Sequence, residues 1–424
     1  MKASYTSAVR YRIDAECLTP LRTGNEYNET ELVLRREDGR PFIQATSLAG
    51  AMRAWLEKAD RSGVYAAEDL FGSRQKAGRL ILSDGVFEAS ANQYLRPRLA
   101  IDGKTGTAKK HLKFDIASIG AGEKFHFELV WLGDEASRNE LADTEQLLAA
   151  LDAGEILLGA QKTNGFGRVR ITARKQSYDL LHSAADREAW LNDSFTGKAL
   201  TLPALAQRRH VRFVLTGRAD SILVKAGAAE HRKKDSCTGN LTENGRAILP
   251  GSSVKGAVRA QAERICRLSG KPEHVIAALF GSCGTDEAEG SAGRVTFSDM
   301  QLTGEPSPTA RIRVDRFTGG VMQTGLFKEA PAASEIRLEI EAPEQDAAGC
   351  GLLLYALRDL GLGLYNLGSG GAIGRGYVQV REIAVSAPDG RMASLTFAAD
   401  GRITQKDDRG LFAEWLNAFG EAEQ

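Results

Sequence analysis

Two tandem copies of one α+β domain, each on the ferredoxin-like or RRM-like plan elaborated by insertions, are what the sequence predicts. Three observations carry that prediction. Five phrases recur in the same order in both halves of the chain. The hydrophobic spacing around them reads strand, helix, strand, strand, helix, strand in each half. The 424 residues are too many for one ordinary core but enough for two units of about 200 residues, each able to bury its own.

Each copy opens on an alternating stretch, VRYRIDAEC from Val9 and HVRFVLTGRA from His210, where apolar and polar residues take turns as in a half-buried strand. A long polar loop follows. The first helix comes next, TSLAGAMRAWLE from Thr46 and SSVKGAVRAQAE from Ser252, 206 residues later. Leu48, Met52, Trp55 and Leu56 fall at helical spacing in one copy, and Val254, Val258, Ala262 and Ile265 in the other. Thr46 or Ser47, and Ser252 or Ser253, would supply the N-cap hydroxyls. LFGS recurs at Leu70 and Leu279, and a variable polar insert leads in both to a strand-like phrase, AGRLILSDGVF ending at Phe87 and AGRVTFSDMQL ending at Leu302. IDGKTG from Ile101 matches VDRFTGG from Val314, and each precedes an alternating strand, KFHFELVWL or EIRLEIEA. A second helix is read around Leu148 and Leu354. The glycine-rich phrases GAQKTNGFGRVRI from Gly159 and GSGGAIGRGYVQV from Gly368 then lead into a last strand.

These phrases place a first domain over residues 1–172, a linker with a short helix over 173–205, a second domain over 206–385 and a C-terminal extension over 386–424. Phe412, Trp415, Leu416 and Phe419 in the extension form an apolar helical stripe suited to docking on its own domain. With 42% hydrophobic and 26% charged residues the composition is that of a globular protein, and no apolar run approaches the roughly 20 residues of a membrane span. No basic and then apolar leader opens the sequence, so a cytoplasmic location is expected. The five cysteines show neither a CxxC pair nor the histidine spacing of a zinc site, which points to free thiols.

Charge alone weighs against a nucleic-acid partner, because 55 basic and 55 acidic residues cancel. Local clustering weighs the other way. Lys104, Lys109, Lys110, His111 and Lys113 crowd one loop, Arg208, Arg209, His210 and Arg212 enter the second copy, and His231, Arg232, Lys233 and Lys234 sit in its first long loop. Each run is either a solvated face or part of a binding track, and all three border repeated phrases. The glycine loops are not nucleotide loops. A dinucleotide fingerprint from Gly368 would need glycine where Ile373 stands and would open a helix, whereas YVQV reads as a strand; GSSVKGA lacks the Lys-Ser/Thr ending of a P-loop. Such glycines offer either bare N–H groups to a phosphate chain or tight packing between helix and strand.

AILPGSSVKGAVRA, the LFG after it, AGRVTFSD, VDRFTGG and GSGGAIGRGYV together resemble the RAMP superfamily, specifically the backbone subunits of type III CRISPR effector complexes. The two-in-one chain is similar to the fused double subunits of type III-D-like systems. The match spans both halves and is fuller in the second, since Gln44 and Ala45 stand where the pattern has Pro and Gly. The resemblance implies a guide-RNA (crRNA) filament with other effector subunits, no membrane partner, a grip on the RNA backbone by helix start and glycine loop, and a hairpin thumb that interrupts the guide-target duplex. The RNA-binding residues implied are Ser47, Arg53, Ser252, Ser253, Lys255 and Arg259 at the helix starts, with Lys162, Arg168, Gly370, Gly371 and Arg375 in the glycine loops. Each would serve equally as an ordinary cap, turn or surface cation. Asp102, Thr105, Asp315, Arg316 and Thr318 are expected near the thumb or the nuclease cleft.

Some members of that family cut target RNA with an acidic residue in the loop between first strand and helix, which here falls on Asp235. The same count in the first copy reaches Glu29, with Glu31 nearby, a departure from the pattern. One carboxylate beside cations is chemically sufficient, because RNA carries its own nucleophile in the 2′-OH and needs only alignment, charge neutralisation and proton transfer. His231 is a candidate partner in that proton transfer. Mg²⁺ or another divalent cation is the cofactor such cleavage would use; no metal-ligand set in the protein and no organic cofactor are expected. The expected function is therefore a guide-bound endoribonuclease subunit acting on target RNA, with a non-catalytic RNA scaffold as the alternative. A repeat-RNA processing enzyme fits less well, since paired helix starts resemble filament subunits.

Overall fold

The computed structural model describes residues 5–24, 33–59, 67–101, 108–205, 209–225, 237–282 and 290–422. The chain divides into two compact units: Met1–Leu95, Asp115–Lys162 and Phe166–Arg208 form the first, and Arg96–Phe114, Thr163–Gly165 and Arg209–Gln424 the second.

In the first unit the strand Ser7–Cys17 lies between Lys124–Gly133 and Val169–Asp179, antiparallel to both, with Ile13 opposite Phe127 on one side and Ala173 on the other. Leu80–Leu82 and Gly85–Phe87 pair along the far side of Lys124–Gly133, which completes the antiparallel ferredoxin-like sheet. Every second residue of the first strand, from Val9 through Tyr11, Ile13 and Ala15 to Cys17, enters the core. There it joins Leu48, Met52 and Leu56 from the helix Ala45–Ala59 and Leu147, Leu148 and Leu151 from the helix Asn139–Asp152.

The segment 173–205, expected as a linker, is built into this sheet instead. The strand Val169–Asp179 runs through residue 172, the helix Ala184–Leu191 follows, and Lys198–Leu200 pairs with Ala173, Arg174 and Lys175. The reason lies on the second face of the sheet. Arg10 stands 4.9 Å from the Trp190 ring and Arg12 4.5 Å from that of Phe195, so two aromatic side chains cover guanidinium groups that the strand alternation turns away from the core.

The second unit repeats the plan. His210–Ile222 lies between Ala332–Pro343 and Gln379–Ser386, with Thr296–Phe297 outside Ala332–Pro343. Phe213 and Leu215 meet Val254, Val258, Ala262 and Cys266 of the helix Gly251–Ser269 and Leu353, Leu357 and Leu360 of the helix Ala347–Gly361 in one core. The C-terminal extension continues this sheet through Met392–Phe397 and Ile403–Lys406. Its helix Leu411–Glu421 buries Phe412, Trp415 and Phe419, and Trp415 lies 5.7 Å from Phe213. Gly351 makes this docking possible, since a Cβ there would stand 2.4 Å from the Trp415 carbonyl oxygen.

Each copy also carries a hairpin between its second and third sheet strands. It is formed by Gln93–Ile101 with Ala108–Ile119 in the first and by Thr309–Val314 with Val321–Glu329 in the second. The phrase around Asp315 therefore falls at a hairpin tip. There Asp315 accepts the N–H groups of Phe317 and Thr318, both at 2.9 Å, and the Phe317 ring is 84% exposed.

Candidate nucleic-acid interface

The helix starts are built alike in both copies, although not by their serines. Gly251 follows Pro250, whose backbone is extended and whose ring fixes the entry of the chain. The Gly251 N–H donates to the Asp299 carboxylate at 2.7 Å, and in the first copy the Ala45 N–H donates to Asp84 at 2.9 Å. The aspartate of each repeated Ser-Asp phrase, in the link between two short strands, thus caps the helix from a distance in sequence and complements its positive end. Thr46, Ser47, Ser252 and Ser253 were expected as caps but sit inside the first turn, where a helical backbone turns the side chain outward. Thr46 and Ser47 are exposed; Ser252 and Ser253 are half-buried.

Around Gly251 the second unit concentrates charge. Arg96 is buried between Glu243 and Asp299, with its Nη2 2.6 Å from a carboxylate oxygen of each. Lys255 donates to the Thr163 hydroxyl at 2.9 Å, and burial, with Arg259 and Arg98 nearby, pushes its ammonium down to about 8. Burial and the charge of Arg96 likewise lower Arg98 to about 10. A base-labile cation at a helix N-terminus is well matched to an incoming phosphate, whose charge would restore the proton.

Arg259 and Arg53 are twins. Arg259 donates to Glu263 at 2.8 Å and to the Gly281 carbonyl at 3.3 Å; Arg53 donates to Glu57 at 2.6 Å and to the Gly72 carbonyl at 3.1 Å. Both tie the long helix to the glycine that ends the LFG turn.

The glycine loops strap the end of the first strand in place. Ser369 and Gly376 donate to the carbonyls of Leu223 and Ser221 at 2.7 and 2.6 Å, while Ala160 and Gly167 donate to Arg22 and Pro20 at 3.0 and 2.8 Å. At Gly376 and Gly167 a Cβ would stand 1.9 Å from the carbonyl oxygens of Leu367 and Leu158, and both backbones have positive φ. Tight packing accounts for these two glycines. Gly370, also at positive φ, opens the 3-10 turn Gly371–Ile373, and Lys162 opens the matching turn Lys162–Asn164, where it is exposed. Arg168 donates to the Ala153 carbonyl at 3.3 Å. Arg375 is turned inward rather than toward solvent, and is only 9% exposed.

The reason is Glu329, the last residue of the second hairpin and only 2% exposed. Its carboxylate accepts Arg311 Nε at 2.9 Å and Nη2 at 3.2 Å, Arg375 Nη1 at 2.6 Å, and lies 3.0 Å from Lys225 Nζ. The Arg311 bonds first, with those of Lys225 and Arg375, pull its pKa down to about 2 against the cost of burial. The same spot gathers both ends of the loop between first strand and helix. Lys225 bridges to Asn240, Thr238 bridges to Glu329, and the Asn240 side chain accepts the Val224 N–H at 2.7 Å while donating to the Ile222 carbonyl at 3.2 Å. Taking the glycine straps and the hairpin phrases as the frame, the first copy has Gly24, Ile116 and Phe166 at the positions of Lys225, Glu329 and Arg375.

The RAMP superfamily pattern matches residues 14–170 and 222–379, one region in each copy. The chain belongs to the RAMP superfamily. RAMP proteins are CRISPR-associated RNA-binding proteins, some of them ribonucleases, and each matched region takes in one helix start, one hairpin and one glycine loop. No curated protein matches the chain significantly. Asp235, His231, Glu29, Glu31, Asp102 and Thr105 lie outside the described residues of this RAMP protein. Among the described residues no group of three or more His, Cys, Asp or Glu is arranged to hold a metal ion, and no helix is long and apolar enough to cross a membrane. Sequence reasoning overlooked Glu329, Lys225, Arg311, Arg96 and Glu243. It also passed over the capping aspartates, although the duplicated Ser-Asp phrase was a signal that could have found them.

Proposed function

We propose that this chain is a guide-RNA-binding backbone subunit of a type III CRISPR interference complex, in the fused double form, and that its second domain cleaves target RNA with Asp235. The observation that carries the reading is the asymmetry at the foot of the candidate loop. In the second copy both loop ends meet at a buried Glu329 ringed by Lys225, Arg311 and Arg375, whereas the matching first-copy positions hold Gly24, Ile116 and Phe166. A loop that must hold a carboxylate against a phosphate needs fixed ends and surplus positive charge, and the second copy has both.

In the reaction, the 2′-oxygen of the nucleotide before the cut attacks its own phosphorus while Asp235 takes the proton from the 2′-OH. The bond from phosphorus to the 5′-oxygen breaks, and that oxygen takes up a proton, leaving a 2′,3′-cyclic phosphate and a 5′-OH. Both helix starts, with Lys255 in the second, hold guide phosphates, and sequence is read by base pairing. The test is a complex assembled with guide and labelled target, with and without Mg²⁺, comparing wild type, Asp235→Ala and Glu29→Ala. Asp235→Ala should abolish one set of cuts and leave target binding intact. Unchanged fragments for both variants would leave a non-catalytic scaffold as the function.

A further inference from the structure

We propose that Lys225 and Arg311, oriented by Glu329, form a seat for one phosphodiester group of the RNA strand that passes the foot of the loop leaving the first strand after Lys225. This rests on the cleavage reading above and deepens it. Three cations face one carboxylate here, so the cluster carries two positive charges in excess. The carboxylate is saturated: one oxygen takes Lys225 Nζ and Arg311 Nη2, the other Arg311 Nε and Arg375 Nη1. Arg375 is buried with it and completes the foundation. The Lys225 and Arg311 side chains remain 44% and 41% exposed, and their further N–H groups have no partner among the described residues.

Arg311 is preorganised as a phosphate donor. Glu329 holds one edge of its guanidinium, and the Phe327 ring lies 4.8 Å from its carbon, so the plane is fixed before any ligand arrives. A phosphodiester carries one negative charge and two non-bridging oxygens, which suits a guanidinium edge beside an ammonium. During in-line attack the phosphoryl oxygens gain charge, and two surplus cations at a fixed distance favour that state over the ground state. The seat therefore acts on turnover more than on affinity, because a long RNA is held by many other phosphate contacts. With Gly24, Ile116 and Phe166 in the matching positions, those positions of the first copy form no such seat.

The test is single-turnover cleavage in the assembled complex, alongside target affinity and guide occupancy as the check on folding. Lys225→Gln and Arg311→Gln should each slow the cleavage assigned to the second domain about a hundredfold while target affinity changes less than about threefold. Lys225→Arg should retain most of the rate. A role confined to neutralising Glu329 is separated by the double variant Lys225→Gln/Glu329→Gln, which would then recover the rate; the seat requires that it stay slow. Wild-type rates for both single variants, with Asp235→Ala inactive, would overturn the seat and leave the cleavage reading standing. Slow single variants beside a fully active Asp235→Ala would keep the seat and overturn Asp235 as the base.

Discussion

Replacing Glu329 by Gln keeps the shape of a side chain that is only 2% exposed and removes the one negative charge shared by Lys225, Arg311 and Arg375. The carboxyl is held at about 2 against an ordinary 4.5, which corresponds to about 3 kcal/mol of native-state stabilisation at neutral pH. The half-exposed Lys225 and Arg311 screen part of it, so about 2 kcal/mol is a sound lower expectation. The direction with pH follows from the depressed value: the contribution is complete above about 4.5 and fades as pH falls toward about 2. Urea denaturation, followed by fluorescence to which Trp415 contributes from this unit, should show Glu329→Gln destabilised at pH 7. The wild-type and variant curves should converge between pH 4.5 and pH 2 as the wild-type carboxylate is protonated. Parallel curves across that range would refute the reasoning, because they would show that the carboxylate charge is not what the three cations recognise.

The helix caps offer a matched pair. Asp299→Ala should cost at least about 1 kcal/mol for the lost cap and more than Asp84→Ala, because Asp299 also faces the buried Arg96; equal losses in thermal unfolding would contradict this. Lys255 should make guide binding sensitive to pH: affinity should fall between pH 7 and pH 9 as the ammonium near 8 is lost, and Lys255→Arg should flatten that dependence. Without RNA the same lowered pKa means stability rises with pH from about 8 toward 10.5, since the unfolded chain there binds the extra proton.

Periodicity made the frame of both domains legible, because each strand and helix buries one face and the sequence must write that face at period 2 or 3.6. The repeated phrases IDGKTG and VDRFTGG led to an expectation of thumb or nuclease cleft, and the second of them lies at a hairpin turn. Two kinds of feature stayed hidden. One is contact across sequence distance: Asp299 capping Gly251, or Arg375 reaching Glu329, follows from folding and leaves no local period. The other is a local role that no motif announces, as with Arg53 and Arg259, whose bonds to the Gly72 and Gly281 carbonyls tie the long helix to the LFG turn. The segment 173–205 was misjudged for a related reason. Trp190 and Phe195 look like residues of an ordinary connector until the arginines they cover are known.

The contrast between the copies has an energetic logic that can be tested. A buried carboxylate without its cations, or buried cations without their carboxylate, costs several kcal/mol, so such a network is difficult to gain or lose one residue at a time. Gly24, Ile116 and Phe166 are together an uncharged solution at the positions where Lys225, Glu329 and Arg375 are a charged one, and Ile116 and Phe166 are buried. In the second copy Glu329→Ile alone should therefore destabilise strongly, by about 3 to 5 kcal/mol. The triple variant Lys225→Gly/Glu329→Ile/Arg375→Phe, which copies the first domain, should recover part of that loss because two of the three orphaned cations go with the carboxylate. Calorimetric unfolding of wild type, the three single variants and the triple gives the coupling directly. If the triple loses as much as the sum of its parts, the three residues do not act as a unit, and the proposed division of labour between the copies must rest on other residues.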